Sequence, residues 1–121
     1  MNTLVVDDSE MTRMVAKNAL KNLEVTSIHE AEDGVEALKV LEAQTIDIVF
    51  SDWNMPNMTG IELLKAVREK WPDMPFIMIT TEGSKEKVME AIQHGVSDYL
   101  AKPFTPAALS AKLEKWTSGG A

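Results

Sequence analysis

The stretch IDIVFSDWNMPNMTGIELL, residues 46–64, contains a strand, a polar turn and the start of a helix. Its first residues are mostly apolar, which is typical of a strand that is buried on both faces of a sheet. Ile61, Leu64 and Val67 have the spacing of a helix that buries one side. The stretch therefore indicates a strand-to-helix unit of a parallel sheet.

The same alternation of strand and helix occurs five times along the chain. Strands are predicted at residues 3–7, 24–29, 46–51, 75–80 and 97–101. Apolar stripes with helical spacing follow these strands, and we predict that they form the core: Met11, Met14, Val15 and Ala19; Val35, Leu38 and Leu41; Ile61, Leu64 and Val67; Val88, Ala91 and Ile92; Leu109, Leu113 and Trp116. Helix starts are predicted from the pairs Asp33 with Glu36, Thr59 with Glu62 and Thr105 with Pro106, and helix ends from Gly95 and WPDMP, residues 71–75. The alternation predicts an α/β fold with a parallel five-stranded sheet.

The length of 121 residues is that of one domain with one core. No internal linker or low-complexity run divides the chain. We therefore expect residues 1–116 to form a single domain and residues 117–121 to be a flexible tail.

Composition and charge exclude several classes of protein. The chain has no cysteine, so it can form neither a disulfide framework nor a thiolate zinc site, and this fits a reducing cytoplasm. It also has no apolar stretch of the roughly 20 residues that a membrane span needs, and no signal-peptide pattern. The net charge of -7 disfavours binding to nucleic acid or to anionic lipid. We expect a cytoplasmic protein whose partners are proteins or cations.

Polar residues that can bind ligands or take part in a reaction lie at the carboxyl ends of four predicted strands. Asp7 and Asp8 end the first strand, Asp52 follows the third, Thr80 ends the fourth and Lys102 follows the fifth. Ligands of open parallel sheets bind beyond these ends, where the winding direction reverses. If the strand order is 2-1-3-4-5, the three aspartates share one cleft.

Three carboxylates in one cleft repel one another unless a cation offsets their charge. Oxygen ligands without histidine or cysteine favour Mg²⁺ over zinc. Lys102 and Thr80 could then bind the oxygens of a phosphoryl group, which Asp52 would accept as a nucleophile. Each residue alone has an ordinary structural role, because acidic pairs start helices and most lysines are solvated. Their joint placement favours the site.

Five motifs resemble the response-regulator receiver family in order and spacing: LVVDDSEMTR, EAEDGVEAL, SDWNMPNMTGIELL, IMITTE and DYLAKPF. The resemblance covers essentially the whole chain and is strongest to the single-domain chemotaxis regulators of the family. It implies a flavodoxin-like three-layer sandwich with strand order 2-1-3-4-5. In KPF, residues 102–104, the proline also permits a cis peptide bond.

The resemblance also implies a role for seven residues of this chain. By position, they match the phospho-acceptor (Asp52), the acidic pair around magnesium (Asp7 and Asp8), a main-chain carbonyl that binds the metal (Asn54), the switch hydroxyl (Thr80), the phosphate-contacting lysine (Lys102) and the aromatic switch residue (Tyr99). Thr81 departs from the pattern, because many relatives have alanine or glycine there. We therefore expect a different phosphoryl lifetime.

The implied function is that of a signalling switch and not of a classical enzyme. A histidine kinase donates a phosphoryl group to Asp52, and the product binds a downstream protein, which we expect to be the flagellar motor switch. A phosphatase is a possible further partner, and we expect a monomer. The segment SKEKVMEAIQHG, residues 84–95, is the part whose partner is least transferable from relatives.

Other functions remain open at this point. The chain could be a stand-alone receiver of another pathway or phosphorelay, or a receiver cut from a longer protein. A small metal-dependent phosphatase needs a general acid two residues after its nucleophile, where this chain has Asn54. A flavin-binding module needs a hydroxyl- and glycine-rich phosphate loop, but acidic Asp7 and Asp8 follow the first strand instead.

Overall fold

Strands and helices alternate along the whole of the described chain. The computed structural model describes residues 1–21, 27–81 and 83–117. The elements are β1 (Asn2–Val6), α1 (Glu10–Lys21), β2 (Ser27–Ala31), α2 (Gly34–Ala43), β3 (Ile48–Asp52), α3 (Gly60–Lys70), β4 (Phe76–Thr80), α4 (Lys85–Gln93), β5 (Asp98–Ala101) and α5 (Pro106–Thr117). In these residues, no helix is both long and apolar enough to cross a bilayer.

The five strands form one parallel sheet in the order β2-β1-β3-β4-β5. The predicted fold class and strand order are confirmed. Because β1 lies between β2 and β3, the winding direction reverses at β1. Val6 pairs with Ser51 in the register of β1 and β3, so the residues that follow β1 lie beside the end of β3.

The core consists of two apolar clusters, one on each face of the sheet. Alternate residues of a strand point to opposite faces, so Leu4 and Val6 join one cluster and Val5 joins the other. The first cluster contains side chains of α2, α3 and α4, and the second contains side chains of α1 and α5. Every residue of β3 and β4 is buried, as their apolar runs predict. The molecule is a three-layer sandwich.

Most predicted boundaries agree with the structure within two residues. The third strand begins two residues later and ends one residue later than predicted, so Asp52 is its last residue. Residues 24–26 of the predicted second strand lie outside the described residues. Thr117 is still part of α5, and the remainder of the predicted tail, residues 118–121, also lies outside them.

The predicted helix signals operate at both ends of the helices. Thr59 and Glu62 form the reciprocal cap of α3, with both hydrogen bonds present. The Asp33 carboxylate accepts a hydrogen bond from the backbone N–H of Glu36. Gly95, with φ of +88°, follows α4 in the left-handed conformation that favours glycine. The Thr105 hydroxyl oxygen accepts from the Ala108 N–H at the start of α5, which confirms that start.

The predicted buried face of α1 is wrong at three of its four residues, and only Ala19 is buried as predicted. Met11, Met14 and Val15 are 76%, 54% and 45% exposed, whereas the helix buries Arg13, Ala16, Ala19 and Leu20. Both sets have helical spacing. The face that is buried packs Ala16, Ala19 and Leu20 into the second core cluster, and its Arg13 guanidinium donates to the Asp7 carbonyl. Because the buried face contains the charged residue Arg13, the apolar pattern of the sequence did not indicate it.

The other predicted stripes are buried to different degrees. That of α3 is confirmed, because Ile61, Leu64 and Val67 are buried. In α5, Leu109 and Leu113 are buried as predicted, and Trp116 is partly buried against the second cluster. Val35 at the start of α2 and Ile92 in α4 were predicted to be core but are exposed. These two helices bury Leu41 and Ala91, and the predicted stripe is wider than the face that touches the sheet.

Candidate functional site

Three carboxylates meet beyond the ends of β1 and β3. Asp7 and Asp8 directly follow β1, and Asp52 ends β3. One oxygen from each of the three lies within 4.8 Å of the others. Asp7 and Asp52 are buried, whereas Asp8 is exposed. The predicted cleft is therefore present, and its open side is the side of Asp8.

Backbone groups orient the two buried carboxylates. The N–H of Ser9 donates to Asp7 Oδ1 at 2.8 Å, and the N–H of Trp53 donates to Asp52 Oδ1 at 2.8 Å. The Arg13 guanidinium donates to the main-chain carbonyl of Asp7 and to the Glu30 carboxylate. Sequence reasoning missed Arg13, because nothing in its local pattern distinguishes it from a solvated helix residue.

Lys102 connects the two buried aspartates. Its Nζ lies 2.7 Å from Asp7 Oδ2 and 3.3 Å from Asp52 Oδ2. The residue directly follows β5, where its backbone N–H donates to the Thr80 carbonyl at 3.0 Å. The peptide bond to Pro103 is cis, as the KPF motif permits. One ammonium group thus faces two carboxylates.

The charges in the cleft are only partly balanced. Burial raises the pKa of Asp52 and the nearby charge of Asp7 raises it further, against the opposing effects of Lys102 and the Trp53 N–H. Burial alone would lower the pKa of Lys102, but the hydrogen bond to Asp7 and the charges of both carboxylates raise it. The cleft therefore favours a further cation, and its carboxylate oxygens suit a hard divalent ion.

The two predicted switch residues lie on adjacent strands. Thr80 is the buried last residue of β4 and pairs with Ala101, while Tyr99 pairs with Met78. Since residues two apart in a strand point to the same face, the side chains of Thr80 and Tyr99 share one face of the sheet. Tyr99 is partly buried there against the first core cluster.

The loop that contains Asn54 is fixed on both sides. Gly60 donates its N–H to the Trp53 carbonyl at 2.7 Å, and a Cβ at Gly60 would lie 2.2 Å from the Asp52 carbonyl oxygen. Asn57 adopts a φ of 66° and donates from Nδ2 to Asp33 Oδ2 at 2.7 Å. Asn54 itself is exposed. Sequence reasoning did not single out Gly60 or Asn57, although both residue types are typical of tight turns.

Comparison with known proteins agrees with this geometry. Residues 3–114 match the response regulator receiver domain. The chain is 49% identical over 117 residues to the chemotaxis protein CheY homolog of Campylobacter jejuni, covering 94% of this chain and 90% of that protein. It is 44% identical to the chemotaxis protein CheY of Pseudomonas aeruginosa, covering 95% and 94%.

Solved structures show the same likeness. The chemotaxis response regulator CheY4 of Vibrio cholerae superimposes with a TM-score of 0.88 at 38% identity, covering 94% of this chain and 96% of that chain. A signal receiver domain of an HD domain-containing protein from Pseudomonas fluorescens gives a TM-score of 0.91 at 27% identity, covering 98% and 94%. The chain therefore belongs to the response-regulator receiver family, and it is similar to the CheY chemotaxis proteins in sequence and fold.

Proposed function

We propose that the protein is a phosphorylation-activated response regulator of chemotaxis, which accepts a phosphoryl group on Asp52 and signals by binding another protein. The observation that carries this proposal is the convergence of Asp7, Asp8, Asp52 and Lys102 beyond the ends of three strands. Receiver membership favours this function over a small phosphatase or a flavin-binding module. The similarity to chemotaxis proteins supports the pathway.

The carboxylate set fits a magnesium ion. Asp7, Asp8 and Asp52 offer oxygens that lie close together, and the ammonium of Lys102 leaves part of their charge unbalanced. The main-chain carbonyl of Asn54 would be a further ligand. When bound, magnesium offsets the negative charge that develops on the transferring phosphoryl group.

The transfer itself uses residues of this chain in defined roles. A carboxylate oxygen of Asp52 attacks the phosphorus of a phosphohistidine in the kinase, and the phosphorus–nitrogen bond breaks with its electron pair returning to the imidazole. Lys102 faces the phosphoryl oxygens, and the Thr80 hydroxyl donates to one of them. Water later attacks the same phosphorus, which releases inorganic phosphate and restores the carboxylate.

The output would follow from a movement of Thr80 towards the phosphoryl group. This movement vacates space on the face of the sheet that Thr80 shares with Tyr99, and the tyrosine ring turns inward. The surface formed by α4, β5 and α5 then changes. We expect the partners to be a histidine kinase, a downstream protein such as the flagellar motor switch, and a phosphatase, for a monomer in the cytoplasm.

Phosphoryl acceptance tests the proposal directly. The protein is incubated with magnesium and a small phosphodonor, and the modified residue is identified by intact mass and peptide mapping. We expect one phosphoryl group on Asp52 and none in Asp52→Asn, which keeps the size of the side chain but removes the nucleophile. Asp73→Asn, at an exposed site, is the matched control. Labelling of Asp52→Asn at the level of the parent would overturn the assignment.

A further inference from the structure

Helix α4 touches the acceptor end of β3 through a cationic side chain. Lys87 Nζ lies 5.2 Å from the centroid of the Trp53 ring, within the range of a cation–π interaction. The Trp53 residue is 5% exposed, whereas the Lys87 side chain is 43% exposed. A partly solvated lysine in the first turn of α4 thus covers the ring of the residue that follows Asp52.

Trp53 is itself bound to the acceptor. Its backbone N–H donates to Asp52 Oδ1 at 2.8 Å, and its carbonyl accepts from the N–H of Gly60 at 2.7 Å. A displacement of Trp53 therefore changes a hydrogen bond that orients the Asp52 carboxylate. The reverse also holds, because a ligand that binds the Asp52 carboxylate and moves it changes the position of the Trp53 N–H that donates to it.

The charge of Lys87 opposes the dipole of α4. Ser84 caps α4 and accepts from the Lys87 N–H at 3.3 Å, so Lys87 is the third residue of the helix. A positive charge in a first turn opposes the helix dipole, and a glutamate such as Glu62 in α3 is the residue that completes a cap there. The Lys87 ammonium also lies 3.8 Å from Glu90 Oε1, an i,i+3 ion pair within α4, and the contact with Trp53 gives it a second partner outside the helix.

Few buried side chains fix α4 to the sheet. Of its residues, all of which the structure describes, only Ala91 is buried, and Met89 and Ile92 are exposed. By contrast, α3 buries Gly60, Ile61, Leu63, Leu64 and Val67. Because α4 buries so little, the contact between Lys87 and Trp53 matters more for the position of its first turn than one such contact would in α3.

We propose that Lys87 is a positioning residue that couples the first turn of α4 to the state of Asp52 through Trp53. The proposal rests on the proposed function, because it requires Asp52 to bind a metal or a phosphoryl group. Coupling between two sites is reciprocal. A partner that binds α4 and takes Lys87 away from the ring would therefore change the affinity of the acceptor site.

The contact is tested by 19F NMR of protein labelled with fluorotryptophan. The Trp53 resonance is the one retained in both Trp71→Phe and Trp116→Phe. Lys87→Met removes the charge but keeps the length of the side chain, Lys87→Arg keeps the charge, and Lys85→Met makes the same charge change at an exposed site of the same turn. We expect Lys87→Met to shift the Trp53 resonance, and the other two variants to match the parent.

The coupling is tested by calorimetric titration of the same variants with Mg²⁺ and then with beryllofluoride, a phosphoryl mimic. We expect Lys87→Met to change affinity by about two- to fivefold, the effect of a partly exposed cation–π contact, and Lys87→Arg to restore it. Equal affinities of Lys87→Met and Lys85→Met would overturn the coupling alone. A parent that binds neither ligand would overturn the proposed function together with the coupling.

Discussion

Two aspartates at opposite ends of the sheet are held in opposite ways. Asp98, the first residue of β5, accepts hydrogen bonds from Lys112 Nζ, Lys115 Nζ, Trp116 Nε1 and the Tyr99 N–H. Burial acts to raise its pKa, but the Trp116 and Lys112 hydrogen bonds and the Tyr99 N–H outweigh burial and lower it to about 2.

Asp52, the last residue of β3, has a pKa that is raised, because burial and Asp7 outweigh Lys102. The surplus of donors at Asp98 fixes α5 to β5, whereas the deficit of positive charge at Asp52 leaves that site suited to a ligand. The difference teaches that the balance of partners around a carboxylate, and not burial alone, separates a structural acid from one that is available to a ligand or a reaction.

The largest effect is expected from removing the lysine on the reactive side. Lys102→Met should slow phosphoryl transfer to Asp52 by about 100- to 1,000-fold, since a charge positioned for the transition state is lost. The measurement is the rate of labelling by a small phosphodonor. Lys112→Met makes the same charge change beside Asp98 and should label at the parent rate. If Lys112→Met were also labelled slowly, the proposed difference between the two aspartates would be wrong.

Removing the structural acid should affect stability and leave the chemistry intact. Asp98→Ala leaves the Trp116 N–H and two lysines without their acceptor, and we expect the free energy of unfolding to fall by about 2 to 3 kcal/mol. Urea unfolding gives this value, with the exposed site variant Asp73→Ala as the control. Magnesium affinity should be unchanged in Asp98→Ala, and a parallel loss of affinity would contradict the separation.

At low pH, the free energy of unfolding should depend on the ionisation of Asp98. Its pKa of about 2 in the folded state lies below the ordinary value of 3.8, so its contribution is fully present above pH 3.8. The contribution is lost as the pH falls through 2. The stability difference between the parent and Asp98→Asn should therefore shrink across this window. A constant difference down to pH 2 would show that the carboxylate charge is not the source.

A smaller effect is expected at the open side of the reactive cleft. Asp8→Ala removes one of three oxygen ligands, and we expect magnesium affinity to fall about tenfold, equivalent to roughly 1.4 kcal/mol. Calorimetry measures the affinity, and magnesium should also raise the unfolding temperature of the parent more than that of the variant. Glu32→Ala is the control for a general loss of negative charge. Equal affinities of Asp8→Ala and the parent would mean that the cleft geometry is not the metal site.

The smallest effect should have the opposite sign from the one at Asp98. Without magnesium, Asp52→Asn should raise the free energy of unfolding above pH 3.8, because it removes a buried charge that Asp7 opposes. The gain should be smaller than the loss in Asp98→Asn. Urea unfolding of both variants at neutral pH compares them, and destabilisation of both would show that Asp52 is also a structural acid.

The fold and the reactive cleft could be predicted from the sequence because both depend on local patterns. Buried parallel strands are apolar runs, and Asp7, Asp52 and Lys102 stand directly at the ends of such runs. The topology then places these ends together. The family resemblance added roles for Asn54 and Tyr99 that no local pattern indicates.

The remaining features depend on partners that are distant in sequence. Asp98 obtains its side-chain donors from α5, 14 to 18 positions later, so most of what lowers its pKa has no local signature. Lys87 of α4 reaches the ring of Trp53, which directly follows β3 and is distant in sequence. The buried Arg13 donates to the Asp7 carbonyl, and because a charged residue is not part of an apolar stripe, the pattern of α1 predicted only Ala19 of the buried face.

The close approach at Gly60 affects how related sequences that lack an aspartate at position 52 should be interpreted. A side chain there would collide with the carbonyl oxygen of Asp52, which belongs to the backbone and is the same whatever residue occupies position 52. A related chain with another residue at position 52 would still require glycine at position 60 to keep its third helix in place. Glycine at position 60 of such a chain therefore indicates that the backbone around position 52 is kept. It does not indicate that the residue at position 52 accepts a phosphoryl group.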